Sequence, residues 1–313
     1  MTSQMDFFCK LAWLFPALVF LMPCLAAARD TWVVDCNAGD TIQRALTTAS
    51  PGDTVLVSGA CREHVEIAGQ WDGLVLDGQG TATISGPDSS RNTIELTGVR
   101  NLKVKGFRVS GGRDGIVVNT GQMVSLESNT IEQVGRHGIH IQRGTALADV
   151  TSSVIQNNPQ HGIVINENSY VRIGFGSGVG ATEGDPGPNT IQGNGGHGIH
   201  IQRASMARIY LNTIRNSGQN GVNVEKLSFA EIASNVIEGN SRNGVQATQN
   251  SGVHLGTETG TGNENRPNST GVPNGQMGID CSLGAYAVGR LGTLMGAKGQ
   301  TNFSTGANDG LSR

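Results

Sequence analysis

A glycine followed by isoleucine or valine returns along this chain at an interval that few folds tolerate. The pairs are Gly115-Ile116, Gly138-Ile139, Gly162-Ile163, Gly198-Ile199, Gly221-Val222 and Gly244-Val245, with a weaker copy at Gly278-Ile279. Successive glycines are separated by 23, 24, 36, 23, 23 and 34 residues. A period in the low twenties with occasional insertions marks a solenoid, whose repeats bury their apolar faces only against their neighbours. After each glycine, apolar and polar residues alternate, as in Ile139 and Ile141 or Val222 and Val224, so the repeat is made of strands with one face turned inward. A leucine-rich repeat of this length needs a leucine ladder and a helical half-turn, which these Ile and Val positions do not supply.

Each repeat holds two more apolar stretches. One runs through Val124-Leu126, Ala148-Val150, Val171-Ile173, Ala207-Ile209 and Ala230-Ile232; the other follows an Asn or Ser, as in Asn129-Thr130-Ile131, Ser153-Val154-Ile155, Asn189-Thr190-Ile191, Asn212-Thr213-Ile214 and Asn235-Val236-Ile237. Three short strands per coil account for the period and predict an all-β, single-stranded parallel β-helix of about eight to ten coils. Like residues then stack from coil to coil, with Ile on Ile inside and Asn on Asn at a turn. With 46 glycines and few aromatics but many branched apolar residues, the composition suits a turn-rich β fold that still buries a core. Asp40 is expected to cap a short helix through Ile42, Ala45, Leu46 and Ala49 that covers the first coil. The Gly-, Pro- and Asn-rich insertions at 174–188 and 256–275 read as loops extruded from a turn.

Residues 1–28 read as a signal peptide. Lys10 precedes an apolar run from Leu11 to Leu25 that ends in Ala26-Ala27-Ala28, and Pro16 and Pro23 interrupt a run already shorter than the ~20 residues of a membrane span. Cleavage after Ala28 predicts a secreted or periplasmic protein with no membrane attachment, its β-helix at 29–290 and a tail or cap at 291–313. Of the five cysteines, Cys36, Cys61 and Cys281 would remain. In an oxidising compartment Cys36 and Cys61 are the candidate disulfide, worth about 3 kcal/mol for a loop of this size, which leaves Cys281 unpaired. The cysteine spacing offers no metal motif, and no metal is assigned. A net charge of −3 argues against a nucleic-acid partner.

With these features in hand, the chain resembles the pectin-lyase-like superfamily, and in particular bacterial right-handed parallel β-helix repeat proteins. The resemblance rests on Gly39-Asp40-Thr41-Ile42-Gln43-Arg44-Ala45-Leu46, on Pro51-Gly52-Asp53-Thr54-Val55, and on the repeated Asn-Thr-Ile and His-Gly-Ile units. It covers nearly all of 29–290 and implies the fold, which hosts lyases, hydrolases, epimerases, tailspikes and adhesins alike. Catalytic sets of such enzymes are largely missing. Gly196-His197-Gly198 matches one polygalacturonase-like element, but the Asn-Thr-Asp and paired-aspartate elements and the epimerase-like Asp-Pro-His-Asp are absent. Asp114 and Glu127 do not continue into the acidic calcium cluster of a pectate-lyase-like site; no cofactor is predicted, with calcium implied only for a lyase.

The candidate site is the outward face of the first strand of each coil. The residue before the glycine runs Asp114, His137, His161, His197, Asn220, Asn243; the first outward residue after it runs Val117, His140, Val164, His200, Asn223, Gln246. The next outward residue runs Asn119, Gln142, Asn166, Gln202, Glu225, Thr248. This strip brings His137, His140, Gln142, His161, His197, His200, Gln202 and Glu225 together as ligand-binding candidates, while the catalytic residues are unassigned. Such a strip serves either as solvent-facing polar cover, as a groove for a polysaccharide or other extended glycan, as an acid/base site of a uronic-acid lyase or epimerase, or as a metal site. Glu167 is expected between Arg143 and Arg203, and Leu147, Tyr170, Met206 and Phe229 are expected to cover the core at a corner.

Overall fold

The computed structural model describes residues 29–69, 71–176, 185–256, 266–304 and 306–312. The leader expected at 1–28 lies outside them. Among the described residues the strands form three parallel sheets of twelve, ten and eight strands and one antiparallel pair of two. These sheets are the three sides of a right-handed β-solenoid. One coil shows the plan: Ile139–Gln142 lies in the ten-stranded sheet, Leu147–Thr151 in the twelve-stranded and Val154–Gln156 in the eight-stranded.

The register stacks like on like. Ile139, Ile163, Ile199 and Val222 form one column, Val150, Ile173, Ile209 and Ile232 a second, and Ile155, Ile191, Ile214 and Ile237 a third. All of these side chains are fully buried. Burial of each contributes roughly 1.5–3 kcal/mol, so the columns supply most of the cohesion between coils.

The recurring glycine is required by space. A Cβ at Gly162 would lie 2.6 Å from the carbonyl oxygen of Gly198 and 2.8 Å from Ile191 Cγ2, and Gly138, Gly198 and Gly221 meet the next coil in the same way. The turn asparagines form a continuous ladder. Asn189, Asn212, Asn235 and Asn268 each accept, through Oδ1, the backbone N–H of the ladder residue one coil earlier, at 2.8–3.1 Å. A second ladder, in two stretches from Asn158 to Asn194 and from Ser217 through Asn240 to Asn274, was not apparent in the repeat because its residues fall between the strands; the Ser217 hydroxyl itself accepts no ladder bond.

The longest sheet holds twelve rungs, more than the eight to ten coils the glycine period suggests. Strands such as Val75–Asp77 and Lys103–Lys105 join the same sheet without the Gly-Ile signature. At the other end Gly299–Phe303 and Asn308–Ser312 pair in parallel with Met277–Cys281 and Tyr286–Arg290, so the stretch expected as a tail or cap carries sheet strands.

The short helix is Ile42–Leu46, and its N-cap is Thr41, whose Oγ1 accepts from Arg44 N at 3.2 Å. Asp40, expected in that role, instead accepts from the Asp35 N–H at 3.3 Å. The reason is a second acceptor: the Glu63 carboxylate takes the free N–H groups of Ile42 and Gln43 at 2.8 and 3.0 Å. Ile42 and Leu46 point into the core of the first coil. Cys36 and Cys61 are joined in a disulfide beside this helix, and Cys281 is free and buried.

Both insertions leave from the same corner, directly after strands Tyr170–Ile173 and Gly252–Leu255 of the twelve-stranded sheet. Their central parts lie outside the described residues. The base of the first is the antiparallel pair Phe175–Gly176 with Asp185–Pro186.

Candidate functional site

The outward positions of the ten-stranded sheet bring the sequence candidates together as expected from the repeat. Val117, His140, Val164, His200, Asn223 and Gln246 follow one another in register along the solenoid. Five imidazoles meet on three consecutive coils. The rings of His137, His161 and His197 stack with centroids 5.0 Å apart at each step, tilted by 8° and 10°. His140 lies edge-on to His137 at 5.5 Å, and His200 touches His161 at 4.8 Å and His197 at 5.0 Å.

The strip is far less open than solvent-facing cover would be. His137, His140 and His197 are only 7–8% exposed, and Asn166 and Asn223 are buried. Side chains in adjacent rungs, about 4.8 Å apart, shield one another.

The stacked histidines belong to a hydrogen-bond ladder. His137 N donates to Asp114 Oδ1 at 3.1 Å, His161 N to His137 Nδ1 at 3.4 Å, His197 N to His161 Nδ1 at 2.8 Å and Asn220 N to His197 Nδ1 at 3.1 Å. The same bond continues from Asn243 N to Asn220 Oδ1 and from Met277 N to Asn243 Oδ1, both at 3.0 Å. An imidazole nitrogen that accepts from a backbone N–H carries no proton, so each ladder histidine is a neutral ring with its proton on Nε2. Burial favours the same neutral form, above all other effects pushing His137 and His197 down to about 3 and His161 to about 4.

His140 and His200 stand outside the ladder and face carboxylates. His140 Nδ1 is 3.4 Å from Asp114 Oδ2, and His200 Nε2 is 3.4 Å from Glu225 Oε1, the latter off hydrogen-bond geometry. Burial raises the Asp114 carboxyl, but bonds from Arg136 at 2.8 and 2.5 Å, with His140 and the His137 N–H, outweigh it and hold the group well below the usual range. Contact with His200, then Lys226, against the effect of burial, holds Glu225 at about 2.

His140 Nε2 and both ring nitrogens of His200 are buried without a hydrogen-bond partner. The ends of the strip differ. Gln142 donates to Asn119, which donates to Glu95 and Thr97; Asn220 donates to Asn223 and Gln246; Lys226 donates to Gln202 and Glu225. The side chains flanking the imidazoles are thus tied to one another, while open nitrogens gather at His140 and His200 and one further buried acceptor, Asn92 Oδ1, is open at the Asp114 end. Of the neighbouring charges, Glu167 pairs with Arg203 at 3.6 Å.

His161, His197 and His200 offer nitrogens within 4.8 Å of one another, close enough to suggest a metal centre. The ladder removes the lone pairs such a centre needs, because Nδ1 of His161 and of His197 is occupied and Nε2 is protonated. Among the described residues no three carboxylates converge into the oxygen-rich shell that calcium takes.

A second surface escaped the sequence reading. On the outer face of the twelve-stranded sheet, Lys103, Ser125, Asp149, Arg172, Arg208, Glu231 and His254 stand in register. Asp149 and Arg172 form a buried two-point ion pair at 2.7 and 2.8 Å, and Arg208 lies 5.1 Å over Phe175, itself stacked on Tyr210 at 4.9 Å. A groove of about 400 Å³ runs here between Arg29, Lys103, Lys105, Met123, Asp149 and Arg172. Aligning the outward positions of the second strand, as was done for the first, is the signal that reveals it. Tyr170, Met206 and Phe229 also lie on this outer face, with Met206 46% exposed, rather than over the core at a corner. The groove and the described bases of both insertions therefore belong to a different side of the solenoid from the histidines.

Residues 53–175 and 188–282 match the family described as right handed beta helix region. The fold is similar to the crystal structure of pectate lyase Pel9A, at 14% identity over 92% of this chain and 79% of that one, with a TM-score of 0.57. It is similar also to the A-module of the Azotobacter vinelandii mannuronan C-5 epimerase AlgE4, at 13% identity over 89% of this chain and 88% of that one, with a TM-score of 0.53. No curated protein matches the sequence. At these identities the structural likeness is one of fold, and on the family match, which spans most of its length, the chain belongs to the right-handed β-helix family.

Proposed function

We propose that this chain is an exported β-helix that binds a polysaccharide along the polar strip without turning it over. The fold is shared with proteins whose names declare pectate lyase and mannuronan epimerase activities, which directs attention to polysaccharides. The ladder carries the choice of binding over turnover. Abstraction of a sugar proton needs an unprotonated nitrogen facing the ligand, and in His137, His161 and His197 that nitrogen is bonded to the backbone. What these rings present outward is a row of N–H donors repeating with the coils, suited to holding an extended chain.

The experiment is a glycan panel read against the double variant His140→Ala with His200→Ala. Weaker binding to the best glycan is expected; unchanged binding by a folded double variant would reject the strip as the site. A second reading, a lyase or epimerase of uronic-acid polymers, draws on the pairs His140 with Asp114 and His200 with Glu225, each a ring beside an orienting carboxylate. Ultraviolet absorbance growing from uronate polymers, with or without calcium, would favour the lyase; exchange of the sugar C5 proton with solvent would favour the epimerase.

A further inference from the structure

We infer that the five-imidazole cluster is a site for an uncharged, hydroxyl-bearing stretch of glycan, read by donors from the ladder and acceptors from His140 and His200. This rests on the binding reading above and names the chemistry of its ligand. The ligand is expected where unpartnered buried nitrogens concentrate on the strip, at His140 and His200. Buried polar atoms in folded proteins nearly always have partners, so the three orphan nitrogens on His140 and His200 mark where an outside group completes the network.

The protons can be placed one by one. Nε2 of His137, His161 and His197 donates, because Nδ1 accepts from the backbone. His140 turns Nδ1 toward Asp114, so its proton sits there and Nε2 offers a lone pair. His200 holds Nε2 3.4 Å from Glu225 Oε1 without a hydrogen bond, and as a neutral ring it offers one lone pair on whichever nitrogen lacks the proton. Three donors and two acceptors therefore interleave within ring separations of 4.8–5.5 Å. A hydroxyl both donates and accepts and fits such an array; neighbouring hydroxyls on one sugar ring fit it better.

The other ligand classes fit poorly. A divalent metal needs lone pairs from several rings, and only two are available. A polyanion would face those lone pairs while three of the neighbouring cations are already committed, Arg136 to Asp114, Lys226 to Glu225 and Arg203 to Glu167.

The test uses the protein with ¹⁵N-labelled histidine, whose long-range proton–nitrogen spectra report which ring nitrogen is protonated. The probes are neutral β-linked and α-linked hexaoses, oligogalacturonate and oligomannuronate of the same length, and Zn²⁺ alone. The variant is His140→Val with His200→Val, because Val117 and Val164 already occupy that column. Protonated Nε2 on the ladder rings is expected without ligand. A neutral hexaose is expected to shift the cluster resonances, and the double variant to bind it about tenfold or more weakly, as for the loss of hydrogen bonds worth about 1 kcal/mol each.

Acidic oligosaccharides that shift the cluster while neutral ones do not would overturn the inference and leave the binding reading standing. So would a glycan that binds the double variant as tightly as the parent. Stoichiometric capture of Zn²⁺ by the ladder rings would also overturn it. If no glycan of either class binds, the binding reading fails, and this inference with it.

Discussion

Replacing a ladder histidine with asparagine is a change the solenoid has already made twice, at Asn220 and Asn243. Their Oδ1 atoms accept the backbone N–H that Nδ1 accepts in the coils before them. The two residue types differ in acid. A ladder ring must stay neutral in the folded chain, with values of about 3 to 4, whereas the unfolded chain protonates it near 6.5. Between those limits the unfolded state binds more protons. Stability is therefore complete above pH 6.5 and falls as pH drops toward 3 to 4, by up to about 1.4 kcal/mol per pH unit for each ring. The triple variant His137→Asn, His161→Asn, His197→Asn is expected to flatten this acid limb while folding normally. Melting temperatures measured from pH 7 to 4 check it, and parallel limbs for parent and variant would contradict it. The sequence showed these histidines and their spacing, but not their tautomers. Those follow from which atom faces the next coil's N–H, and only the folded backbone brings the two within reach.

At the level of elements, the strands and their order were legible because a period of two within strands and about twenty-three between them leaves little choice of arrangement. The asparagine ladder was legible for the same reason, and it carries stability. Asn212 accepts from Asn189 N and Nδ2 at 3.1 and 2.9 Å, and its own Nδ2 donates to Ile173 O at 3.0 Å. Truncation by Asn212→Ala strands those buried groups and is expected to cost about 2–3 kcal/mol in denaturant unfolding. Asn212→Ser should cost less, because Ser153 holds the same column two coils earlier and its Oγ accepts from Asn129 N at 3.1 Å. Equal losses for the two variants would show that the ladder bond is not what matters. The element hardest to read was the helix cap. Thr41 and Asp40 are both good capping residues, and the choice between them was made by Glu63, which is distant in sequence and brought near by the turn of one coil.

For the molecule as a whole, the parallel stack makes contacts between neighbouring coils the main source of cohesion, so damage at one end should stay there. Removing the Cys36–Cys61 disulfide, by Cys36→Ser with Cys61→Ser, is expected to lower stability by about 3 kcal/mol on the loop-entropy account. Hydrogen exchange should quicken in Thr54–Ser58 and Val65–Ala68 and stay unchanged in Val222–Val224 and Val245–Ala247. Loss of protection along the entire solenoid would contradict the nearest-neighbour picture. The repeat by itself determined the solenoid, its three strands per coil and the column each repeated side chain occupies, because identical coils stacked in parallel leave like residues nowhere else to go. Tertiary structure decided what the columns amount to. It closed most of the polar strip to solvent, committed three histidines to the backbone and left two with open nitrogens. It also set the groove and the points where both insertions leave the coils on another side, because those features depend on which residues face each other across coils and around the corner between sheets.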